Sequence, residues 1–126
     1  MITASEAIKR LKEGNLRFVS GVRSIDTIAK QILRAEFVEG QAPFAIILGC
    51  SDSRVPAEII FDQGLGDLFV IRVAGNIVAP SQVGSVEFAA ERFGTPCSAQ
   101  QARKAAQDLL RQSTGSETTD IRLSRQ

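Results

Sequence analysis

Two short apolar runs, each the length of one strand, constrain the fold of this chain more than any other feature. They are Phe44–Gly49 and Leu68–Val73, and neither alternates apolar with polar residues. A nearly continuous apolar run of this length indicates a strand covered on both faces, as strands of parallel sheets are. Parallel strands need a crossover between them, and the residues between the runs are long enough to provide one. The pattern therefore predicts an α/β fold with a parallel sheet flanked by helices.

Helical periodicity surrounds these runs. A first helix is expected from the capping box Thr3-Ala-Ser-Glu6 to a stop at Gly14. A second helix is expected over about residues 26–39, and a short one from Pro56–Phe61 that starts at its proline. Val83–Phe93 has apolar residues at helical spacing and predicts a further helix packed on the sheet.

The composition of the chain changes after Pro96. All seven Phe and every Val precede that residue, whereas residues 97–126 are polar and rich in Gln. We expect residues 1–96 to form the folded part of the domain and residues 97–126 to be a divergent tail that is partly helical or disordered. A third buried strand would be expected next, but Cys97–Leu110 has helical propensity and no β-branched residue. The sheet is therefore predicted to be incomplete on its C-terminal side.

Charge and composition exclude several classes of function. The formal net charge is +1 and no basic cluster is present, so we expect no nucleic-acid partner. No apolar run is long enough to span a membrane, and no export leader precedes Thr3, which favours a cytoplasmic location. The chain has no His, which excludes catalysis by Ser-His or Cys-His pairs and any zinc site that needs an imidazole.

The candidate site follows the first strand directly, as Cys50-Ser-Asp-Ser-Arg-Val55. Ligands in open α/β sheets bind beyond the carboxyl ends of strands, so this position favours a functional site. Cys50 and Asp52 face the same way in extended backbone, so a thiolate and a carboxylate could share one metal ion. Arg54 can bind Asp52 through two parallel hydrogen bonds, which would keep a metal position free for water.

Each of these residues also has an ordinary structural interpretation. A lone Cys at a strand end is more often a small buried apolar residue, and an isolated Asp-x-Arg is usually a surface ion pair of little energy. The combination Cys-x-Asp-x-Arg at a strand terminus favours a functional interpretation over both. Nucleotide binding is a weaker alternative, because no glycine-rich phosphate loop follows either strand.

Seven short motifs resemble the β-class carbonic anhydrases, in the order in which that family carries them. They are Glu13–Phe18, Gln41-x-Pro43, Cys50–Val55, Gly66–Phe69, Arg72–Asn76, Ser85–Ala89 and Gly94–Pro96. The resemblance covers about residues 3–96 and implies a zinc enzyme that interconverts carbon dioxide and bicarbonate. Zinc lowers the pKa of a bound water to about 7 in such enzymes, and the resulting hydroxide attacks CO2.

The resemblance also assigns roles to residues of this chain. Cys50 and Asp52 would be the metal ligands of a partial zinc site, and Asp52 with Arg54 would form the catalytic gating pair. Substrate-binding roles fall to three residues outside this motif: Gln41, Phe69 and Ala74. The glutamine would donate a hydrogen bond to a substrate oxygen, and the other two would line an apolar CO2 pocket. Without the resemblance, the glutamine would be interpreted as a loop amide and the phenylalanine as a core aromatic residue.

The other half of the family's zinc site has no counterpart. The family takes its remaining ligands from His-x-x-Cys, which by spacing would fall at Arg103 and Ala106. Cys97 lies about six residues earlier, roughly 20 Å along a strand, and cannot readily replace them. We therefore expect weak or absent zinc binding and impaired catalysis, in a truncated, frameshifted or engineered chain. The alternative is a non-catalytic remnant that acts as a dimerising or partner-binding scaffold.

Association with a second copy is expected, as a homodimer or a higher homo-oligomer. In the resembling family the N-terminal helices pack across a partner. Ile8, Leu11 and the second helix supply apolar faces here, and a missing third strand would leave a sheet edge exposed. The small-molecule partner implied by the resemblance is CO2 or bicarbonate.

Overall fold

The computed structural model describes residues 2–32 and 40–94. Its elements are α1 (Ala4–Val19), α2 (Ile25–Ile32), β1 (Ala45–Cys50), α3 (Ala57–Ile60), β2 (Leu68–Val73), a 3-10 turn (Ala74–Asn76) and α4 (Pro80–Phe93). The two strands pair in parallel, with Ala45 opposite Leu68 and Cys50 opposite Val73. The predicted α/β fold with a parallel, partial sheet is confirmed. The expected tail and the position of a third strand lie outside the described residues.

One face of the sheet packs on α1 and α3. Residues paired across parallel strands share a face, and side chains alternate between faces along each strand. Leu68 of β2 is buried together with Leu11 of α1 and Ala57 of α3, and Phe44 and Ile47 pack against this cluster. Burial of such apolar surface provides most of the free energy that holds these helices to the sheet.

The opposite face of the sheet packs on α4 through aromatic rings. The ring centroid of Phe69 on β2 lies 6.2 Å from that of Phe88 and 5.6 Å from that of Phe93. Tilted arrangements at these separations are favourable for aromatic pairs. All six residues of β1 are only partly buried, so the expectation that this strand is buried on both faces was wrong for the described part of the chain.

Helix α1 begins where the sequence predicts, but it does not end there. The backbone N–H of Glu6 donates to the Thr3 hydroxyl at 3.2 Å, which satisfies one of the free amides at the helix start. The predicted stop at Gly14 is wrong, because the helix continues to Val19. The residue with a left-handed backbone is Gly21, at φ 69°, and it lets the chain leave the helix.

Gly14 is needed for close packing instead of for a turn. A Cβ atom built at this position would lie 1.7 Å from the carbonyl oxygen of Phe61, directly after α3. The hydrogen atom of glycine therefore allows α1 to contact backbone at the end of α3, at a distance that no other residue permits.

The remaining helices differ from expectation mainly at their ends. Helix α2 begins at Ile25, one residue earlier than expected, and the rest of the predicted range continues into residues outside the description. Helix α4 begins at Pro80, three residues before the predicted start, because proline is well suited to the first helical turn. The Gln82 side chain accepts a hydrogen bond from the Ala79 amide at 3.2 Å and caps this start. None of the described helices combines the length and apolarity needed to cross a bilayer.

A buried carboxylate joins the two N-terminal helices to the rest of the fold. Asp62 is 1% exposed, and its oxygens accept hydrogen bonds from Arg17 Nε at 2.6 Å and the Ser24 amide at 3.0 Å. Arg23 forms a longer ion pair at 3.5 Å, and the Thr27 hydroxyl donates to the Asp62 carbonyl at 3.1 Å. Burial alone would raise the pKa of Asp62, but the bonds from Arg17 and Ser24 outweigh it, and the net pKa is lowered.

Candidate functional site

The carboxyl ends of the two strands meet at the candidate site. Cys50 is the last residue of β1, and the 3-10 turn Ala74–Asn76 follows β2 directly. The Ser51 amide donates to the Val73 carbonyl at 3.2 Å and extends the ladder by one residue. The backbone N–H of Gly75 points at the Cys50 sulfur, with 3.4 Å between nitrogen and Sγ. The fold therefore places the thiol between the two loops that follow the strands.

The Cys50 thiol lies in a polar backbone environment. Hydrogen bonds from the backbone of Asp52 and of Gly75 lower the pKa of this thiol, and they outweigh the opposing effects of partial burial and the Asp52 charge. Two consecutive residues of this loop have a positive φ, which is 67° at Gly75 and 55° at Asn76. Consecutive residues of this kind can point neighbouring N–H groups at one anion. The loop thus stabilises a thiolate mainly through backbone N–H groups.

Asp52 and Arg54 form a bidentate ion pair beside the thiol. Arg54 donates from Nε to Oδ1 at 3.0 Å and from Nη2 to Oδ2 at 2.6 Å, and its backbone N–H donates to Oδ1 at 3.0 Å. The side-chain bonds from Arg54 are the main reason why the pKa of Asp52 lies far below its usual range. The same contact raises the pKa of Arg54. Asp52 is therefore ionised at neutral pH, and both of its oxygens are engaged.

Arg72 holds the backbone of the motif in place, and sequence reasoning did not assign it that role. From β2 its Nε donates to the Cys50 carbonyl at 3.0 Å, and its Nη2 donates to the Asp52 carbonyl at 2.5 Å. Two carbonyls of the loop are thus bound by one guanidinium from the neighbouring strand. The sequence hints at this role only in that Arg72 is the one charged residue within the apolar run Leu68–Val73.

The three residues expected to bind substrate do not all lie at the strand ends. Ala74 is exposed and begins the turn that contacts Cys50. Phe69 pairs with Ile46, four residues before Cys50 in the register, which is about 13 Å along the strand. Gln41 is exposed in the segment before β1. The structure thus brings Ala74 to the motif and places Phe69 in the aromatic contact with α4.

The described residues offer too few donors for a zinc ion. Tetrahedral zinc needs three or four protein donors in a catalytic or structural site. Within residues 2–32 and 40–94, no three Cys, Asp or Glu side chains lie close enough to share a metal ion. Cys50 and Asp52 are two candidate donors, and Arg54 already binds both oxygens of Asp52. The described residues therefore do not fit a zinc ion by themselves.

We expect Cys50 to react with alkylating reagents at lower pH than an ordinary thiol. The thiolate is the reactive form, and hydrogen bonds from the loop lower the pKa of Cys50. The rate of labelling by iodoacetamide, followed by mass spectrometry of the Cys50 peptide, should reach half of its plateau at a pH below about 8.5, the ordinary pKa of Cys. Labelling of Cys97 in Cys50→Ser protein is the internal reference. Identical pH profiles for the two thiols would contradict the expected effect of the loop.

Comparisons with known proteins agree on one family. The family model described as carbonic anhydrase matches residues 45–97. Carbonic anhydrase 2 of Mycobacterium tuberculosis is 50% identical over 95 residues, which cover 71% of this chain and 43% of that protein. The carbonic anhydrase of Mycolicibacterium smegmatis is 46% identical over 90 residues, which cover 71% of this chain and 43% of that protein. The chain thus spans less than half the length of these curated relatives.

Solved structures of the same class were also found. The β-carbonic anhydrase CcaA is 32% identical, with a TM-score of 0.47 over 71% of this chain and 41% of that one. A tetrameric β-carbonic anhydrase from Sordaria macrospora is 26% identical, with a TM-score of 0.48 over 71% and 45% of the two chains. The family-model match includes the whole motif Cys50–Val55. By the family model and the curated relatives, this chain is a partial match to the carbonic anhydrases, over a region that contains the candidate site.

Proposed function

We propose that this chain carries the Cys50–Asp52–Arg54 part of a β-class carbonic anhydrase site, for reversible hydration of CO2 to bicarbonate, and that the 126-residue chain alone is catalytically impaired. The observation that supports it best is the bidentate Arg54–Asp52 pair beside the Cys50 sulfur. Such a pair holds the carboxylate ionised and turned toward the guanidinium. The arrangement suits a gate, in which release of Asp52 from Arg54 would change the ligands available to a metal.

The impairment follows from the chemistry of the donors in the sequence. The family carries zinc in general, and its zinc lies on two thiolates and an imidazole. This chain contains no His at all, and Arg103 and Ala106 stand where the family spacing expects the second pair of ligands. One thiolate and one carboxylate lack the chelate rigidity and the charge that hold zinc against competing chelators. Water whose pKa stays at about 15.7 provides negligible hydroxide at neutral pH.

Three further residues would contact substrate in this proposal. Ala74 lies in the turn beside Cys50, which supports a place for it in the wall of a CO2 pocket. Phe69 would contribute its apolar ring, and the exposed amide of Gln41 would donate a hydrogen bond to a substrate oxygen. Arg72 would position the loop through its backbone bonds without touching substrate.

Zinc content and activity test the proposal together. We expect purified 126-residue chain to retain less than about one zinc per ten molecules after dialysis, because two donors bind too weakly. We also expect no CO2 hydration above that of a heat-treated control. Zinc is measured by mass spectrometry of the metal, and hydration by stopped-flow with a pH indicator. Stoichiometric zinc with measurable hydration would contradict the proposal and reveal a ligand not identified in this sequence.

A matched pair of variants sharpens this test. Arg103→His combined with Ala106→Cys restores the missing residue types but not the strand that would aim them, so it should not rescue activity. Replacement of residues 97–126 by the family's third strand and following segment should restore both zinc and hydration. Rescue by the two point substitutions alone would show that the local backbone already provides the required geometry. Failure of the graft would argue against the family's mechanism in this scaffold.

A second candidate function is a dimerising or partner-binding scaffold. Large apolar side chains on the first two helices and the loop between them support it: Leu16, Val19, Val22, Ile25 and Ile32 are each more than half exposed. Surfaces of this kind on soluble proteins commonly contact another chain. The proposal includes a homodimer or higher homo-oligomer in the cytoplasm. A zinc-free chain that light scattering shows to be a stable dimer would favour the scaffold, and a zinc-free monomer would disfavour it.

A further inference from the structure

A cleft of about 520 Å³ opens between α1, α2 and the loop that leads into β2. Asp67, which lines it, directly precedes β2, and its carbonyl accepts a hydrogen bond from the Phe44 amide at 2.9 Å, just before β1. The cleft therefore adjoins the amino ends of the strands, whereas Cys50 lies at their carboxyl ends. Each strand has six residues, a length of about 20 Å, so the cleft is separate from the candidate site. Clefts of this volume are large enough to hold small molecules.

The floor of the cleft consists of buried polar side chains. Thr27, Asp62 and Gln63 line it and are 7%, 1% and 2% exposed. Arg17 neutralises Asp62 through a hydrogen bond of 2.6 Å, and Gln63 Nε2 donates to the Phe61 carbonyl at 2.7 Å. Such bonds fix the floor, because buried polar groups that are hydrogen-bonded have little freedom to move. The cleft is thus a polar recess with a rigid base.

Two arginines of α1 line the cleft with hydrogen-bond donors to spare. Arg17 binds Asp62 through Nε, and both of its Nη groups lack a hydrogen-bond partner among the described residues. The Cζ atom of Arg10 lies 4.2 Å from the ring centroid of Phe44, and an ion pair of 3.5 Å links Arg10 to Asp67. A guanidinium binds a carboxylate or phosphate best through two parallel hydrogen bonds. Each arginine is therefore held by other contacts and keeps donors for a ligand.

The spacing of these arginines favours a ligand with two acidic groups. Arg10 and Arg17 are seven residues apart, which is about two helical turns or about 10.5 Å along α1. Contacts with Phe44 and Asp62 hold the two guanidiniums in different places. Lys30 provides a third cation from α2 and binds Asp67 at 3.0 Å. A single small ion would contact one guanidinium, whereas an elongated dianion would contact both.

The charges of the cleft leave a small positive excess. Its lining has three cations and three carboxylates: Arg10, Arg17, Lys30, Asp26, Asp62 and Asp67. Arg23 also binds Asp62, at 3.5 Å, and adds one further positive charge. Asp62 and Asp67 are each paired with cations, so their charge is largely neutralised. Asp26 forms no ion pair within residues 2–32 and 40–94 and is the group that would oppose an anion.

We propose that this cleft binds a small dianion with a phosphate or carboxylate group at each end, one end bound by Arg10 and the other by Arg17. Each acidic group would accept paired hydrogen bonds from one guanidinium, and Lys30 would add attraction from the opposite wall. The bound molecule would connect α1, α2 and the loop before β2. This site is independent of zinc and of CO2 hydration, because it uses none of the residues around Cys50.

Titration of the full chain, followed by nuclear magnetic resonance at low ionic strength, tests the proposal. The probes are pentane-1,5-diol bisphosphate, adipate and inorganic phosphate. We expect the bisphosphate to bind at least about tenfold more tightly than inorganic phosphate, because it makes a second hydrogen-bonded ion pair. The Nε–H signals of Arg10 and Arg17 should both shift. Adipate as tight as the bisphosphate would identify carboxylate ends as sufficient, and weaker adipate would identify phosphate ends as required. Equal affinity for the bisphosphate and inorganic phosphate would overturn the proposal.

Variants separate this site from general attraction to a positive surface. Arg10→Gln should weaken bisphosphate binding about tenfold. Lys12→Gln is the matched control, because it removes the same charge from an exposed position on the opposite side of α1 and should change affinity less than about twofold. Equal losses from these two variants would overturn the proposal.

A third variant keeps the test valid if Arg10→Gln fails to fold. Asp26→Asn removes the unpaired carboxylate from the cleft, so it should strengthen bisphosphate binding about threefold. Glu13→Gln removes the same charge from an exposed position of α1 outside the cleft lining and should have a smaller effect. Unchanged or weaker binding by Asp26→Asn would overturn the proposal.

Discussion

Replacing Gly14 with alanine is expected to destabilise the fold by about 3 kcal/mol, although the same change stabilises most helices by about 1 kcal/mol. The new Cβ atom would lie 1.7 Å from the carbonyl oxygen and 2.7 Å from the carbonyl carbon of Phe61. Both are backbone atoms, so no side-chain rotation can relieve the overlap. Helix α1 would have to move away from α3, and the buried contact of Leu11 with Leu68 would open with it.

The measurement is urea unfolding followed by circular dichroism. A loss of about 3 kcal/mol is a large part of the 5–15 kcal/mol that stabilises a typical domain, so the midpoint should fall sharply. Gly49→Ala is the control, since a Cβ at that position meets nothing within 4 Å. We expect its midpoint to change little. If Gly14→Ala is as stable as the unmodified chain, the close approach of α1 to α3 is wrong.

Replacing Asp62 with asparagine is expected to cost about 2–3 kcal/mol at neutral pH. Asparagine keeps the shape of the side chain and tolerates the φ of 45° at this position. The change therefore removes the charge and replaces one accepting oxygen with an NH2 group, which cannot accept a hydrogen bond. Two guanidiniums would then lose their carboxylate. The side chains of Arg17 and Arg23 are 36% and 35% exposed, so water compensates in part, and the cost falls below that of a fully buried pair.

The loss should depend on pH in a defined direction. The pKa of Asp62 is lowered in the folded chain, whereas an unfolded Asp has a pKa of about 3.9. A lowered pKa means that the stabilisation is complete above that unfolded value and disappears as the pH falls through the lower, folded value. The difference in stability between the unmodified chain and Asp62→Asn should therefore be constant near neutrality and shrink below about pH 4.

Paired unfolding curves between pH 3 and pH 7 provide the measurement. Comparing the two proteins at each pH cancels the titration of groups that they share. Glu13→Gln removes a charge from an exposed position of α1 and serves as the control; such surface changes usually stay within about 0.5 kcal/mol. A difference that does not vary with pH would show that the lost stability comes from shape or packing at position 62 and not from its charge.

The elements predicted from the sequence are those whose cause is local. The bounds of β2 follow from one apolar run, and the start of α1 follows from the hydroxyl of Thr3 capping the Glu6 amide. The short α3 follows from Pro56, which lies at its N-cap. Each of these signals lies within a few residues of the element that it predicts. The Cys50–Arg54 motif could be recognised for the same reason, since its donors are two residues apart.

Features that depend on distant partners could not be predicted. A glycine in a helix pattern indicates a stop, and only the position of Phe61 shows that Gly14 serves close packing. Asp62 has an ordinary local sequence, yet its partners Arg17 and Ser24 lie 45 and 38 residues away. The two bonds of Arg72 to the loop after β1 likewise cross between strands. Local patterns contain no information on such pairings, because the tertiary fold creates them.

The contacts of Asp62 also have a consequence for the order in which the chain folds. The unit β1–α3–β2 closes over a short stretch of chain, and its pairing joins residues 23 apart, as in Ala45 with Leu68. Attachment of α1 requires closure of loops about twice as long, which costs more chain entropy before any contact forms. We expect the strand unit to assemble first and α1 to dock afterwards. Substitutions at Asp62 should then accelerate unfolding and leave the folding rate almost unchanged, so that this buried carboxylate governs how long the native state persists.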